Sequence, residues 1–402
     1  MKNYKSLFYL LVLSFTTLFL SCEEEERGPL VTDKTIPGVV SEVTVENMPG
    51  GAKIQYKVPA TEDILLVEAA YERNGELITA RSSVYKNFVN IEGLNKTTPQ
   101  EVSLSVVDRS DNRSQAVTVT INPQTPPIDT LFESISMTAD FGGVRVYYDN
   151  KDNIKAEILF YTINANGTPT YNQSAFIDNN VSNYTTFRTF GPVPQKFGVA
   201  LIDRWNNITT ITEATITPFE EVNLAKEDYD TVFLPTDEPT RFGWTLDRLF
   251  DNNLGTGFHT DQTRPGALIP PYTEPYHMFT LDLGAVAKIS RLRLWQRGGT
   301  WAYTHGNPRY FEIWGIDEIP ADDGASFDGW TLLIANGEVI KPSGAAIGVR
   351  SAEDDAAAAA GHEFDAPIDA PPIRYIRFVQ IENWTEGKFL HVMEFEFWGQ
   401  LQ

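Results

Sequence analysis

From Phe279 to Arg309 the chain reads FTLDLGAVAKISRLRLWQRGGTWAYTHGNPR. Its first half alternates: Phe279, Leu281 and Leu283 share one face, and after a short turn Leu292 and Leu294 do the same. Period-two alternation is the signature of strands with one buried face. The second half is a loop crowded with Arg297, Trp301, Tyr303, His305 and Asn307. Two strands ending in aromatics, a cation and an amide have the chemistry a saccharide needs. Sugars offer apolar C–H faces to aromatic rings and hydroxyl groups to fixed polar groups.

Outward from this stretch, 402 residues are enough for two to four domains. The formal net charge of −22 argues against nucleic acid and against strongly anionic polysaccharides as partners, and fits a neutral ligand or merely a soluble exposed surface.

The first residues read as a targeting segment. Lys2 and Lys5 precede an apolar run, Leu7 to Leu20, too short for an ordinary spanning helix. The run ends in Phe19-Leu20-Ser21-Cys22, which resembles a bacterial lipobox. That resemblance implies cleavage before Cys22 and its acylation, so that lipid chains hold the protein on a membrane. Cys22 is the single cysteine, so no intrachain disulfide can form. Glu23 to Glu26 follow at once and resemble the surface-export signal of lipoproteins in Bacteroidetes; a solvated acidic linker is the plainer alternative. The expected division is a leader at 1–22, a tether at 23–36, an immunoglobulin-like sandwich at 37–124, a related sandwich at 125–218 and a C-terminal module at 219–402.

The two sandwiches are expected from short β-type runs such as Ala52–Val58, Val102–Val107 and Val117–Ile121, separated by turn residues. The segment also repeats itself. Gly50-Gly51-Ala-Lys-Ile-Gln-Tyr56 is similar to Gly142-Gly143-Val-Arg-Val-Tyr-Tyr148, and Val106-Val107-Asp108-Arg109-Ser-Asp-Asn112 to Leu201-Ile202-Asp203-Arg204-Trp-Asn-Asn207. In both Asp-Arg motifs the acid and the Asn are expected to support a turn. The pair resembles the fibronectin-type-III-like spacers of surface lipoproteins in gut Bacteroidetes. Trp205, if exposed in its turn, is the place to look for a second glycan site.

Beyond Phe219 lie seven of the eight tryptophans. Four segments here, in order, resemble the discoidin or coagulation-factor type C family, a galactose-binding-like jelly roll that includes family 32 carbohydrate-binding modules. They are Leu249–His259, with Asp251-Asn252-Asn253 and Thr256; Leu281-Asp282-Leu283-Gly284; Tyr310–Trp314 with Asp328-Gly329-Trp330; and Ile373–Phe378 with Met393–Gly399. Asn252 stands where the family usually has Gly, and Phe258 where it usually has Trp. The alanine-rich insert SAEDDAAAAAG, 351–361, is expected to be a surface loop or short helix. The whole chain is thus expected to be all-β: two immunoglobulin-like sandwiches, then a galactose-binding-like jelly-roll sandwich.

The resemblance implies two chemistries. One is structural calcium, with Asp251, Asn253, Thr256 and Glu394 as ligands; hard cations want several oxygens in a tight loop. The alternative is that Asp251 and Thr256 only stabilise a turn. The other is ligand binding at the loops beyond the strand ends, with His259, Arg297, Trp301, Tyr303, His305, Asn307, Trp384 and Phe389 as candidates. Trp301 or Trp384 would stack on a sugar, and Arg297 and Asn307 would bond hydroxyl groups. No P-loop, zinc-type histidine cluster or paired glycosidase carboxylates stand out, so no enzyme is expected. The expected role is that of an outer-membrane surface lipoprotein that catches glycan for a starch-utilisation-type importer, an outer-membrane transporter. An adhesin for a host or partner protein and a glycosidase accessory are the alternatives.

Overall fold

In both repeats the fold begins with a pair of glycines that no other residue can replace. A Cβ on Gly51 would lie 1.9 Å from the Ile91 carbonyl oxygen, and one on Gly143 would lie 1.9 Å from that of Phe187. Gly50 and Gly142 before them have φ of 63° and 62°, the left-handed region that glycine enters without strain. The repeated Gly-Gly is therefore a tight turn pressed against a neighbouring strand. The computed structural model describes residues 33–61, 63–177 and 184–402. The leader, Cys22 and the acids Glu23–Glu26 lie outside the described residues.

The first unit has strands β1 (Ser41–Met48), β2 (Gly51–Lys57), β3 (Ile64–Arg73), β4 (Glu76–Ser83), β5 (Phe88–Ile91), β6 (Gln100–Asp108) and β7 (Val117–Ile121). They form two antiparallel sheets, β1-β2-β5 and β4-β3-β6-β7. Val102, Leu104 and Val106 point inward from β6 against Ile54, Val67 and Ile91, while Ser103 and Ser105 between them face outward. Such alternation selects one register, because a one-residue slip would turn every apolar side chain to water.

The second unit opens with helix α1 (Pro127–Glu133) and continues with β8 (Ser136–Asp140), β9 (Gly143–Tyr147), β10 (Ala156–Ile163), β11 (Pro169–Ile177), β12 (Tyr184–Arg188), β13 (Gln195–Asp203) and β14 (Thr212–Ile216). Its sheets, β12-β9-β8 and β11-β10-β13-β14, repeat the first unit strand for strand. The Asp-Arg motifs have the same job in both. Asp108 accepts hydrogen bonds from Ser110 N at 2.8 Å, Asn112 N at 2.8 Å and Asn112 Nδ2 at 2.9 Å. Asp203 accepts them from Trp205 N at 2.8 Å, Asn207 N at 3.0 Å and Asn207 Nδ2 at 2.8 Å. Trp205 is half-buried rather than free in its turn. Its ring lies where a Cβ on Gly93 of the first unit would be, 2.5 Å away, with the Arg204 guanidinium 4.1 Å from the ring centre. Asn207 Nδ2 donates to the Gly93 carbonyl at 3.1 Å and Asn74 Nδ2 to Asn207 Oδ1 at 2.9 Å, so this turn fastens one sandwich to the other.

The last unit comprises β15 (Val222–Asn223), β16 (Asp230–Val232), β17 (Phe258–His259), β18 (His277–Trp295), β19 (Pro308–Ile316), β20 (Thr331–Glu338), helix α2 (Ala352–Ala360), β21 (His362–Asp365), β22 (Ile373–Asn383), β23 (His391–Val392) and β24 (Glu394–Leu401). The strand order β15-β24-β18-β22-β19-β20 closes over a core in which Phe279, Phe311, Phe378 and Phe395 are stacked or edge-on. The expected turn between two strands is absent, because 277–295 is one strand. The alternation is nevertheless buried as read: Phe279, Leu281, Leu283, Leu292 and Leu294 all lie in the core. Between Asp282 and Ala287 the register shifts and the strand changes partners, from β22 and β16 to β24 and β21. Gly284, at φ 76°, makes the bend, and its N–H is held by Asp282 Oδ1 at 2.8 Å. Arg374 grips both oxygens of Asp282 at 2.8 Å, so the chain bends without reversing. The insert forms α2, capped by Ser351 and Asp354 in a reciprocal box.

This unit joins the second through Arg188, whose Nη2 reaches Asp365 at 2.7 Å and whose Nε lies 3.8 Å from Glu221, itself held by Ser290 Oγ at 2.6 Å and Arg291 Nη2 at 3.1 Å. Among the described residues, no helix is long and apolar enough to cross a membrane.

Candidate functional site

Sheet register brings His259 on β17 opposite His391 on β23. Three loops converge beside them: the turn Arg241–Trp244, the loop from Gln296 to Asn307 after β18, and the loop from Trp384 to Leu390 before β23. On their surface lie Phe242, Trp244, Arg297, Trp301, His305 and Phe389. The Arg297 guanidinium lies against two indoles, 4.2 Å from the ring centre of Trp301 and 5.0 Å from that of Trp244. Trp301 is 36 % exposed and meets His305 edge-on at 4.5 Å. His259 stacks with Phe389 at 5.9 Å and meets Phe242 edge-on at 5.1 Å.

Hydrogen bonds fix the proton positions. His259 Nδ1 lies 2.6 Å from the Thr260 carbonyl oxygen and must donate to it, which leaves Nε2 as the acceptor. His391 Nε2 accepts from Gly306 N at 3.1 Å, so Nδ1 carries its proton, and Nδ1 has no protein partner among the described residues. Burial holds both rings neutral at pH 7. It lowers His259 below the usual histidine range and takes His391 down to about 3, with His259, Arg297 and His305 adding to the shift. Burial also lowers Arg297 from the ordinary arginine value.

Three expected ligand contacts are displaced by this geometry. Asn307 is fully buried and spends its amide on the protein: Oδ1 accepts from Arg297 N at 2.8 Å, and Nδ2 donates to the carbonyls of Arg297 at 3.0 Å and Trp301 at 2.7 Å. It holds the loop in shape and has nothing left for a hydroxyl group. Tyr303 is fully buried beneath the loop, edge-on to Trp384 at 5.4 Å, with its N–H on Gln296 Oε1 at 2.7 Å. Trp384 is buried in the same core cluster under Arg309. Both rings are core, for they lack a free face. Trp244, Phe242 and His391 belong to the arrangement and were not singled out in sequence. The Phe242-Gly243 pair, with φ of 60° and 71°, is a turn that a Phe-Gly-Trp triplet could have signalled.

The four expected calcium ligands are already committed. Asp251 accepts from Asn253 N at 2.9 Å and Thr256 Oγ1 at 2.7 Å, and the Asn253 carbonyl accepts from Thr256 N at 3.0 Å and Thr256 Oγ1 at 3.1 Å. Glu394, 2 % exposed, takes the Lys226 ammonium at 2.6 Å, and that ammonium also reaches Asn252 Oδ1 at 3.1 Å. Calcium needs six to eight oxygens at about 2.3–2.6 Å. Here a lysine head stands at that distance from the buried carboxylate, so the residues present do not fit a divalent ion.

Three family models, each described as a domain of unknown function, match residues 37–123, 124–227 and 250–399. No curated protein matches the chain. Among solved structures, the chain is similar to the SusE-like protein BT2857 at 30% identity, over 69% of this chain and 100% of that one, with a TM-score of 0.44. The chain belongs to the SusE-like family. That membership rests on identity across the whole relative, not on the superposition. The C-terminal domain of a chitobiase from Bacteroides fragilis shares 16% identity over 45% of this chain and 99% of its own, at a TM-score of 0.31. A structure of two CBM32 domains and an M60 catalytic domain of Clostridium perfringens ZmpB shares 15% over 44% of this chain and 15% of its own, at 0.31. These two likenesses carry no further weight. The all-β architecture, two immunoglobulin-like sandwiches and a galactose-binding-like sandwich, stands on the strand order itself.

Proposed function

We propose that the protein is a cell-surface glycan-binding lipoprotein that holds a saccharide on its C-terminal face and presents it to a glycan importer. The observation that carries this reading is Trp301. Its indole is exposed on a loop locked from below by Asn307, with Arg297 and His305 against it. An exposed ring flanked by fixed polar groups suits a sugar's apolar face and hydroxyl rim. His259 Nε2 supplies an acceptor for a hydroxyl group. The SusE-like relationship supports saccharide as the ligand class. The lipobox-like Cys22, the acids Glu23–Glu26 and two sandwiches fastened end to end fit a module held out from a membrane. The role is binding, without catalysis. A shallow site gives weak affinity per sugar, which repeated units on a polymer offset by avidity.

The test is a glycan array with the full chain in detergent and its Trp301→Ala variant. Binding to a defined glycan class that is lost in the variant is the expected result. No binding on a broad array, or binding indifferent to Trp301, refutes the reading and points to a protein ligand, which a pull-down on host-cell surface proteins would then test.

A further inference from the structure

Among the described residues, eight of the ten arginines beyond residue 219 have a carboxylate within 4 Å; Arg248 and Arg297 do not. In a chain of net charge −22, with carboxylates plentiful, an unpaired arginine in the middle of the candidate face is conspicuous. Arg297 is also half-buried, so its charge has lost part of its water. Only its backbone is bonded, to Asn307; among the described residues no protein acceptor meets its guanidinium. What lies against the group is the pair of indoles, with its central carbon 5.0 Å from the ring centre of Trp244 and 4.2 Å from that of Trp301. Cation–π contact of this kind offers the N–H edge no acceptor. That edge is a rigid fork of five donors, matched to the two oxygens of a carboxylate or the oxygens of a sulfate. Burial holds His259 and His391 beside it neutral, so neither supplies a competing cation.

Resting on the glycan-binding reading, we propose that the saccharide carries an anionic group, carboxylate or sulfate, and that Arg297 binds that group while Trp301 stacks on the ring. The net charge of −22 disfavours a densely charged polymer, but that field is screened within about 8 Å at physiological salt. A single acid on an otherwise neutral glycan meets the local cation instead. The expectation of a purely neutral ligand, drawn from net charge, is thereby narrowed to a sparsely acidic one.

The test is calorimetry on the full chain in detergent with matched probes. A xylan oligosaccharide with one glucuronate branch and its methyl ester form one arm; a galactan oligosaccharide with one sulfate ester and its desulfated counterpart form the other. Neutral galactan and xylan oligosaccharides complete the set. One acidic member should bind at least tenfold tighter than its capped twin, and the arm that shows this names the group. Arg297→Ala should abolish that difference and leave the weaker neutral binding, and Arg297→Lys should restore part of it. Trp301→Ala should abolish both. Equal affinity for acidic and capped probes, or a preference that survives Arg297→Ala with an unchanged melting curve, overturns the inference and leaves the glycan reading standing. Failure of every probe to bind overturns both.

Discussion

Replacing Lys226 by Met removes the cation from Glu394 and leaves a nearly isosteric apolar stem. The pair is 2.6 Å apart with side chains 10 % and 2 % exposed, so little water can compensate. Glu394 Oε2 already lacks a protein partner among the described residues, and Oε1 would keep only the Asn252 N–H at 3.2 Å. Breaking one side of a buried ion pair costs about 3–5 kcal/mol. At about 2–4 °C per kcal/mol for a unit of this size, the transition of the C-terminal module should fall by about 6–20 °C. The loss should depend on pH with a definite sign. Burial raises the Glu394 pKa even beside Lys226, and removing the lysine raises it further. A carboxyl with a raised folded pKa is most stable protonated, so the deficit should shrink as pH falls through that pKa and be full above it. Lys226→Met with Glu394→Gln should recover most of the loss, since no charge is then buried. Differential scanning calorimetry of the wild type, with millimolar calcium and with a chelator, completes the assay. A bound ion at 100 times its Kd would add about 2.7 kcal/mol. A wild-type transition that rises with calcium and falls with chelator refutes the assignment of Lys226 as the resident cation.

Trp301 and Trp384 should separate binding from stability. Trp301→Ala is expected to abolish glycan binding and change stability by no more than about 0.5 kcal/mol, whereas Trp384→Ala should cost about 3–5 kcal/mol; chemical denaturation of both variants checks this. Acid should weaken the C-terminal module early. His391 and His362 are held at about 3 and about 4, both by burial, so the unfolded chain binds more protons below the ordinary histidine range, and stability present at pH 7 should fall from about pH 6.5 toward those values; urea midpoints that stay flat between pH 7 and 4 would contradict it. Gly93→Ala would put a Cβ 2.5 Å from the Trp205 ring at a φ of 79°, and should loosen the joint between the sandwiches; small-angle scattering should show a broader distribution of dimensions than in the wild type.

The sandwiches were legible because both signals that specify them are local. Apolar residues two apart, as in Val102, Leu104 and Val106, show which face is buried, and the repeated Gly-Gly and Asp-to-Asn motifs show the turns. The continuity of β18 was not legible. Gly284 looks like a turn, and only Arg374, far along the chain, shows that the Asp282 corner is braced as a bend. Lys226 is harder still: it lies 168 residues from Glu394, and nothing near either residue announces the pair. On the loops, residue type alone does not say which way a side chain points. Trp301 and Trp384 look alike in sequence, yet one is exposed and the other lies in the core.

That last ambiguity has a physical consequence for the site. A face that touches one or two sugar units gains little area, so it cannot also bear the cost of ordering a loop each time it binds. The loop from Gln296 to Asn307 must be ordered beforehand, and the buried residues do this. Asn307 ties both ends of the loop, Gln296 takes the Tyr303 N–H, and His391 takes that of Gly306. The absence of a side chain at Gly306 lets Phe389 and His391 press against that backbone, since a Cβ there would lie 2.5 Å from the Phe389 ring. Several polar and aromatic residues expected from the sequence to touch a ligand thus hold the loop in place instead. Dense polar and aromatic composition marks a loop that is held rigid, because such a loop needs as many of these groups beneath it as above.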